Sequence, residues 1–306
     1  MSIPCVIQLQ GLMLSISKYY YGGLSTNEIN RCISFRNIVL KDGLRRQYKL
    51  FKKKADIELA MFKLVKNVII ENDWSANYIK SVCPDISLYY VNANIRSAFF
   101  SKQWDVTKCR KHTVLCNTPV YPLKGFHMCI RAFSKIKHYY PDAILCVPGI
   151  RDPFAADAYT KIKQDGYIKY CKRLIKKYNL IDSIEFLGYL TSDQMVEFML
   201  NANVVVIPSA IEQSSITLRE AMCVGVPCVS SYVGGASEII ENGKNGFLYR
   251  YEEPEQMAFS IMKIFENTEL AIQFSENSRN MIRDHIDVKH SVDLFIDLYK
   301  RLINVQ

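Results

Sequence analysis

One stretch leaves this chain few architectures to choose from: Val204 to Glu241, VVVIPSAIEQSSITLREAMCVGVPCVSSYVGGASEIIE. It opens on a β-branched run, Val204 to Ile207, apolar at every position, as a strand covered on both faces has to be. Pro208 and Ser209 end that run and a polar loop follows. From Ser215 the apolar spacing turns helical, with Leu218 and Met222 on one face, until Gly225 and Pro227 stop it. A second apolar run, Pro227 to Val229, leads to the turn at Gly234–Gly235 and another short helix. Strand, loop, helix and strand in this order make the repeating unit of a parallel α/β sheet.

Two carboxylates fall where such a unit meets ligands. Glu212 belongs to the loop past the carboxyl end of the first strand, the place where doubly wound sheets bind small molecules. Glu220 lies further along the helix, with seven residues between the two. The backbone amides of Ser214, Ser215, Ile216 and Thr217 crown the helix start, a favourable seat for phosphate. A diphosphate on those amides, with a carboxylate on each flank accepting hydroxyl hydrogen bonds, has the layout of a nucleotide sugar. The spacing of the acids alone does not decide this, because solvated helices carry such pairs routinely.

The wider pattern, PSxxExSxxxxxEAMxxGxPxVxSxxGGxxExIxxGxxGFL, resembles the donor-binding segment of the retaining glycosyltransferases of family 4, and the likeness runs from about Cys116 to Glu266. The resemblance implies the GT-B fold: α/β, two Rossmann-like parallel-sheet domains. It implies that Glu212 contacts the donor sugar, that Glu220 holds the ribose hydroxyls, and that Tyr189 contributes backbone contacts to the base. Lys124, followed by Gly125 and a helix, matches the lysine that clamps the donor diphosphate in relatives. The arginine that often partners it is replaced here by Asn117 or Thr118. Gln10 stands where many relatives carry a histidine near the donor sugar, on the acceptor side. Glutamine hydrogen-bonds but cannot transfer a proton at neutral pH. The implied reaction moves a sugar to a glycan or lipid-linked acceptor with retention, through same-face attack assisted by the leaving phosphate.

The same likeness organises the chain as a partial acceptor-side domain over residues 1–110, a donor domain over 111–285, and a last helix over 286–306 that crosses back onto the first. Relatives have further strands and a glycine-rich acceptor loop ahead of the position of Ile3, so the first domain is expected to be incomplete, by truncation or through an upstream start codon. A chain that binds nucleotide sugar without turning it over is therefore the competing expectation. Strands are expected at Ile3–Leu9, Lys66–Ile70 and Leu88–Val91, then at Thr113–Cys116, Ala143–Val147 and Ile184–Leu187. Helices between the later strands are expected at Phe126–Tyr139, Tyr159–Tyr178 and Asp193–Asn201, with Pro254–Glu266 and Leu270–Arg283 after them. Glu238 reads as a residue that caps or pairs locally, and His127 as solvated or packed.

Composition narrows the remaining classes. An apolar fraction of 49% with 23% charged residues belongs to a folded chain. The N-terminus lacks the pattern of a secretory leader and no apolar run has membrane-spanning length, which points to the cytoplasm. Ten cysteines with no CxxC pair fit free thiols in a reducing compartment. No Asp-x-Asp pair occurs, so no metal or other cofactor is expected and lysine with helix dipole would serve the diphosphate. No GxGxxG follows an early strand, which disfavours a dinucleotide-binding protein. Between Lys41 and Lys54 seven basic residues meet one acid, Asp42, while Leu44, Tyr48, Phe51, Ala55, Leu59 and Phe62 share a helical face. That basic amphipathic helix reads either as a solvated face over a core stripe or as a dock for an anionic membrane surface at the inner face, where a lipid-linked acceptor would be found. It lacks aromatic residues on its basic face, so nucleic acid is not expected as a partner.

Overall fold

The computed structural model describes residues 4–92, 94–116, 121–155, 164–285 and 288–304. Its strands form at the apolar runs and sort into two separate all-parallel sheets. The first holds β1 (Val6–Gln8), β2 (Asn67–Ile70) and β3 (Ser87–Tyr90) in that spatial order. Before β2 come α1 (Met13–Tyr19), α2 (Thr26–Arg31), α3 (Phe35–Val39) and α4 (Leu44–Leu64); α5 (Asp73–Val82) joins β2 to β3. Ile3, the expected start of β1, lies outside the described residues.

The second sheet contains β4 (Thr113–Leu115), β5 (Ile144–Pro148), β6 (Ile184–Gly188), β7 (Val204–Ile207), β8 (Cys228–Ser231) and β9 (Phe247–Tyr249). Its helices are α6 (Phe126–Tyr139), α7 (Gly166–Lys177), α8 (Ser192–Asn201), α9 (Ile216–Val224), α10 (Pro254–Glu266) and α11 (Thr268–His285), followed by α12 (Val288–Asn304). The spatial order is β6-β5-β4-β7-β8-β9. From β4 the chain winds outward through β5 and β6, then returns to β4's other side with β7 and winds the opposite way. The reversal leaves a crevice at the carboxyl ends of β4 and β7, where helices leave to both sides. Every residue of β7 and β8 is buried, which is why both read as unbroken apolar or small-residue runs.

Several expected boundaries move for local reasons. The basic helix begins at Leu44 instead of Lys41, because Lys41 takes a left-handed φ of 51° and Gly43 is the extended N-cap. It then continues ten residues past Lys54, to Leu64, keeping Leu44, Ala55 and Phe62 buried on the predicted face. The long helix expected from Tyr159 is described from Gly166, capped by the Asp165 side chain; residues 156–163 lie outside the description. The last helix packs Leu298 against Ile69 and Val91 of the first sheet. Among the described residues no helix is long and apolar enough to cross a membrane.

The segment between β1 and α4 also grips the second sheet's layer. Ser25 and Glu28 form a capping box at the start of α2, and the outer face of Glu28 accepts bonds from Arg131 and from the Tyr170 hydroxyl (2.6 Å). Burial works to raise the Glu28 pKa, but the bonds from Tyr170 and Ser25 and the Arg131 charge hold it down to about 2. A carboxylate depressed in the folded state stabilises above its unfolded pKa and loses that contribution as pH falls toward the folded value. Glu28→Gln is therefore expected to cost about 1 kcal/mol at neutral pH, allowing for partial exposure, and that cost is expected to shrink progressively as pH falls from about 4.5 toward about 2. Urea unfolding of both proteins across that pH range checks the sign.

Candidate functional site

Sheet reversal is what joins residues far apart in the chain. Gly125 leaves β4's connection in the left-handed region, φ 71°, and α6 starts directly after it. Lys124, one residue earlier, is thereby aimed across the crevice at the loop after β7. Its Nζ donates to Glu212 Oε1 at 2.5 Å, although the two are 88 positions apart in the chain. The Ser209 hydroxyl donates to the same oxygen at 2.5 Å, so both donors converge on Oε1, and Oε2 accepts from none of the described residues. Burial would lower the Lys124 pKa; the charge and hydrogen bond of Glu212 outweigh it and hold the ammonium above its ordinary value. Lys124 is thus a fixed cation at neutral pH, most of its side chain withdrawn from solvent.

The loop carrying Glu212 is pinned from three sides. Ser231 Oγ donates to the Ser209 carbonyl (2.6 Å), the Gly235 amide to the Glu212 carbonyl (3.1 Å), and Asn72 Nδ2 to the Gln213 carbonyl (2.5 Å). The last of these comes from the first sheet's layer. Glu238 works in the same direction, its carboxylate accepting from the Asp73 and Trp74 amides at 2.8 and 2.7 Å and so capping α5. Its capping role is as expected; its partner is not local but 164 residues upstream.

Lys124, Glu212, Gln213 and Ser214 line one wall of a cavity of about 550 Å³, and Gln10 with its neighbours in the β1–α1 loop lines the opposite wall. The volume suits a small organic ligand. Gln213 Oε1 and Nε2 and Ser214 Oγ are buried at that wall with no hydrogen-bond partner among the described residues. Ser215 is the N-cap of α9, its hydroxyl accepting from the Leu218 amide, and Ile216 begins the helix with Thr217 following. The first-turn amides at Ser215 and Ile216 therefore sit immediately beyond the cavity wall.

Other predicted residues stand apart. Glu220 does not line the cavity; it faces inward from α9 and accepts from Arg96 Nε (2.9 Å) and Nη2 (2.7 Å), while Arg96 Nη1 reaches the Ser192 hydroxyl (2.8 Å). Burial raises the Glu220 pKa, against the opposing hydrogen bonds and charge of Arg96. Tyr189 follows the left-handed Gly188, is 82% exposed, and does not line the cavity. Asn117 and Thr118, in the place of the second cation, lie outside the described residues. Arg96 is the residue that sequence reading passed over: a lone arginine 124 positions from its partner leaves no pattern to detect. His127 is packed, as one of its two expected readings had it. It is fully buried between the Tyr167 hydroxyl (3.0 Å) and the Gly22 carbonyl (2.9 Å), and burial followed by the Arg131 charge pulls its pKa down to about 3.

Comparison with known proteins bears on this geometry. Residues 107–281 match the family described as glycosyl transferases group 1. An uncharacterized glycosyltransferase of Methanocaldococcus jannaschii is 28% identical over 262 residues, 84% of this chain and 61% of that protein. The chain thus spans between 41% and 61% of the length of the first curated relatives it matches. Among solved structures, sucrose-phosphate synthase from Thermosynechococcus elongatus superposes with a TM-score of 0.75 at 18% identity, covering 100% of this chain and 69% of that one. The Anabaena protein HepE, solved with UDP and glucose, gives a TM-score of 0.68 at 18% identity, covering 98% and 72%. At such identities the likeness establishes a shared GT-B-type architecture.

Proposed function

The chain belongs to the glycosyl transferases group 1 family, and on that premise we propose that it moves a sugar from a nucleotide-diphosphate donor to a glycan or lipid-linked acceptor, with retention and without a divalent metal. The observation that carries the reading is the Lys124–Glu212 pair at the sheet's reversal point, on the wall of a cavity whose other side bears Gln10. A lysine ammonium at that point, with the first-turn amides of α9 behind it, neutralises the charge that gathers on a leaving diphosphate. Glu212, oriented by Ser209 and Lys124, accepts a hydroxyl bond from the sugar. The acceptor hydroxyl attacks the anomeric carbon on the face the diphosphate leaves; the carbon–oxygen bond to phosphate breaks, and the departing phosphate oxygen takes the hydroxyl proton. Gln10 orients without exchanging protons. The base is read near Tyr189 and the ribose at Glu220, once Arg96 yields or shares that carboxylate.

A thermal-shift screen of nucleoside diphosphates and their sugar conjugates tests this. Structural neighbours solved with UDP make uridine compounds the first to try. A ligand at about 100 times its Kd adds about 2.7 kcal/mol to stability and a clear rise in Tm. That rise is expected to shrink in Glu220→Ala and to survive in Arg96→Ala. Full retention in Glu220→Ala would remove the ribose contact from the proposal. Gln10 favours the second reading, binding without turnover, and release of nucleoside diphosphate in the presence of acceptor decides between the two.

A further inference from the structure

Helix α3 is built inside out. Its polar residues turn inward: Asn37 is buried, with its amide donating to Asp42 (2.8 Å) and Asp165 (3.0 Å) and its carbonyl oxygen accepting from the Gly166 amide (2.8 Å). Arg36 pairs with Asp42 at 2.8 Å and lies 3.5 Å from Asp165, and Ser34 caps the helix from a buried position. Five large apolar side chains, Ile33, Phe35, Ile38, Val39 and Leu40, are left between 55% and 66% exposed. Isolated exposed leucines are ordinary; five within eight residues, on a segment clamped rigidly by its polar side, are not.

Cations surround this apolar projection. Ile29, Ile33 and Ile38 line a groove of about 400 Å³ whose rim carries Lys41, Arg45 and Arg46. All seven basic residues from Lys41 to Lys54 are exposed, and none is ion-paired among the described residues. Leu50 is exposed on α4, one turn past Arg46, whereas Lys54 and Ile57 further along line the candidate-site cavity. An apolar wedge ringed by unpaired cations matches an anionic bilayer, which takes the side chains below its headgroups and the cations among its phosphates.

We propose that α3 and the outer face of α4 form a membrane-docking surface for anionic phospholipid, with Phe35, Ile38, Val39 and Leu40 inserting and Lys41, Arg45, Arg46 and Lys49 holding the headgroups. The surface stands on its own geometry; only its link to a lipid-linked acceptor rests on the transferase reading above. The 306-residue chain is mixed with phosphatidylcholine vesicles that are either pure or about one third phosphatidylserine, and sedimented. Binding is expected on the anionic vesicles alone and is expected to fall steeply in about 1 M salt. Phe35→Ser with Ile38→Ser is expected to weaken the partition about tenfold or more, from the apolar area withdrawn. Lys41→Glu with Arg45→Glu is expected to weaken it to a similar degree.

These side chains are exposed, so circular dichroism and the nucleotide thermal shift of the variants are expected to match the parent; the membrane result and the donor result therefore fail separately. No sedimentation, equal sedimentation with neutral vesicles, or unchanged sedimentation of the variants overturns the proposal. So does light scattering in which the parent is self-associated without lipid and the Phe35/Ile38 variant is not, because the face then covers a second copy.

Discussion

Lys124→Met is expected to lower kcat for sugar transfer by about 10²–10³-fold, the loss seen when one fixed stabiliser of developing charge is removed from a site shielded from water. Methionine keeps the length and removes the ammonium. Structure supplies a rival explanation for any such loss: without Lys124, Glu212 keeps, among the described residues, only the Ser209 hydroxyl on Oε1, and its largely buried carboxylate has no counter-ion among them. A buried acid stripped of its partner costs several kcal/mol, which would damage the loop whatever the lysine does in catalysis. The double variant Lys124→Met/Glu212→Gln separates the two accounts. If Lys124 served only to neutralise Glu212, removing both charges would restore most of the activity. If Lys124 holds diphosphate, the double variant stays slow, and calorimetry with the best nucleoside diphosphate shows affinity lost in both variants that lack the lysine. Glu212→Gln alone is expected to weaken the sugar conjugate more than the bare nucleotide, if Glu212 accepts from the sugar as proposed.

How much of this was legible depends on whether the physics is local. Buried parallel strands announce themselves because both faces are covered, so Val204–Ile207 reads as a strand without any knowledge of its neighbours, and the turn chemistry around α9 reads equally well. The Lys124–Glu212 contact is different. Nothing in either residue's surroundings names the other, and only the likeness to a known family promoted the pair from surface charges to a site. Arg96 on Glu220 and Glu238 on the Asp73 and Trp74 amides were out of reach, because ion pairs and caps made between residues more than a hundred positions apart leave no periodicity. Helix α3 fails for a further reason. Five residues hold too little pattern to mark a helix, and apolar spacing alone cannot say whether the apolar side faces protein or solvent. The Ser25–Glu28 capping box ahead of it was a readable signal.

Gly125→Ala is expected to cost more than about 4 kcal/mol, a large share of the stability of a domain and enough to collapse soluble yield. Two separate effects add. Gly125 has φ 71°, which alone charges a β-carbon about 1–2 kcal/mol. Its Cβ would also lie 1.6 Å from the Pro208 carbonyl oxygen and 2.7 Å from the carbonyl carbon, both backbone atoms at the end of the central strand β7. No rotamer relieves such an overlap; α6 or the strand end has to shift. Gly234→Ala carries the same pair of faults, φ 55° and a Cβ 1.7 Å from the Glu212 carbonyl oxygen, but pushes on a loop. A loop yields more readily, so about 2–3 kcal/mol is expected, together with loss of activity as Glu212 swings from Lys124. Gly243→Ala isolates the conformational share, because its φ is 81° and nothing stands within 4 Å of the added carbon. It is expected to cost about 1–2 kcal/mol and to leave transfer unchanged. Urea unfolding of the three variants orders them Gly125, Gly234, Gly243. An equal cost at Gly125 and Gly243 would mean that α6 does not approach β7 as closely as the site requires, and the alignment of Lys124 on Glu212 would lose its structural basis.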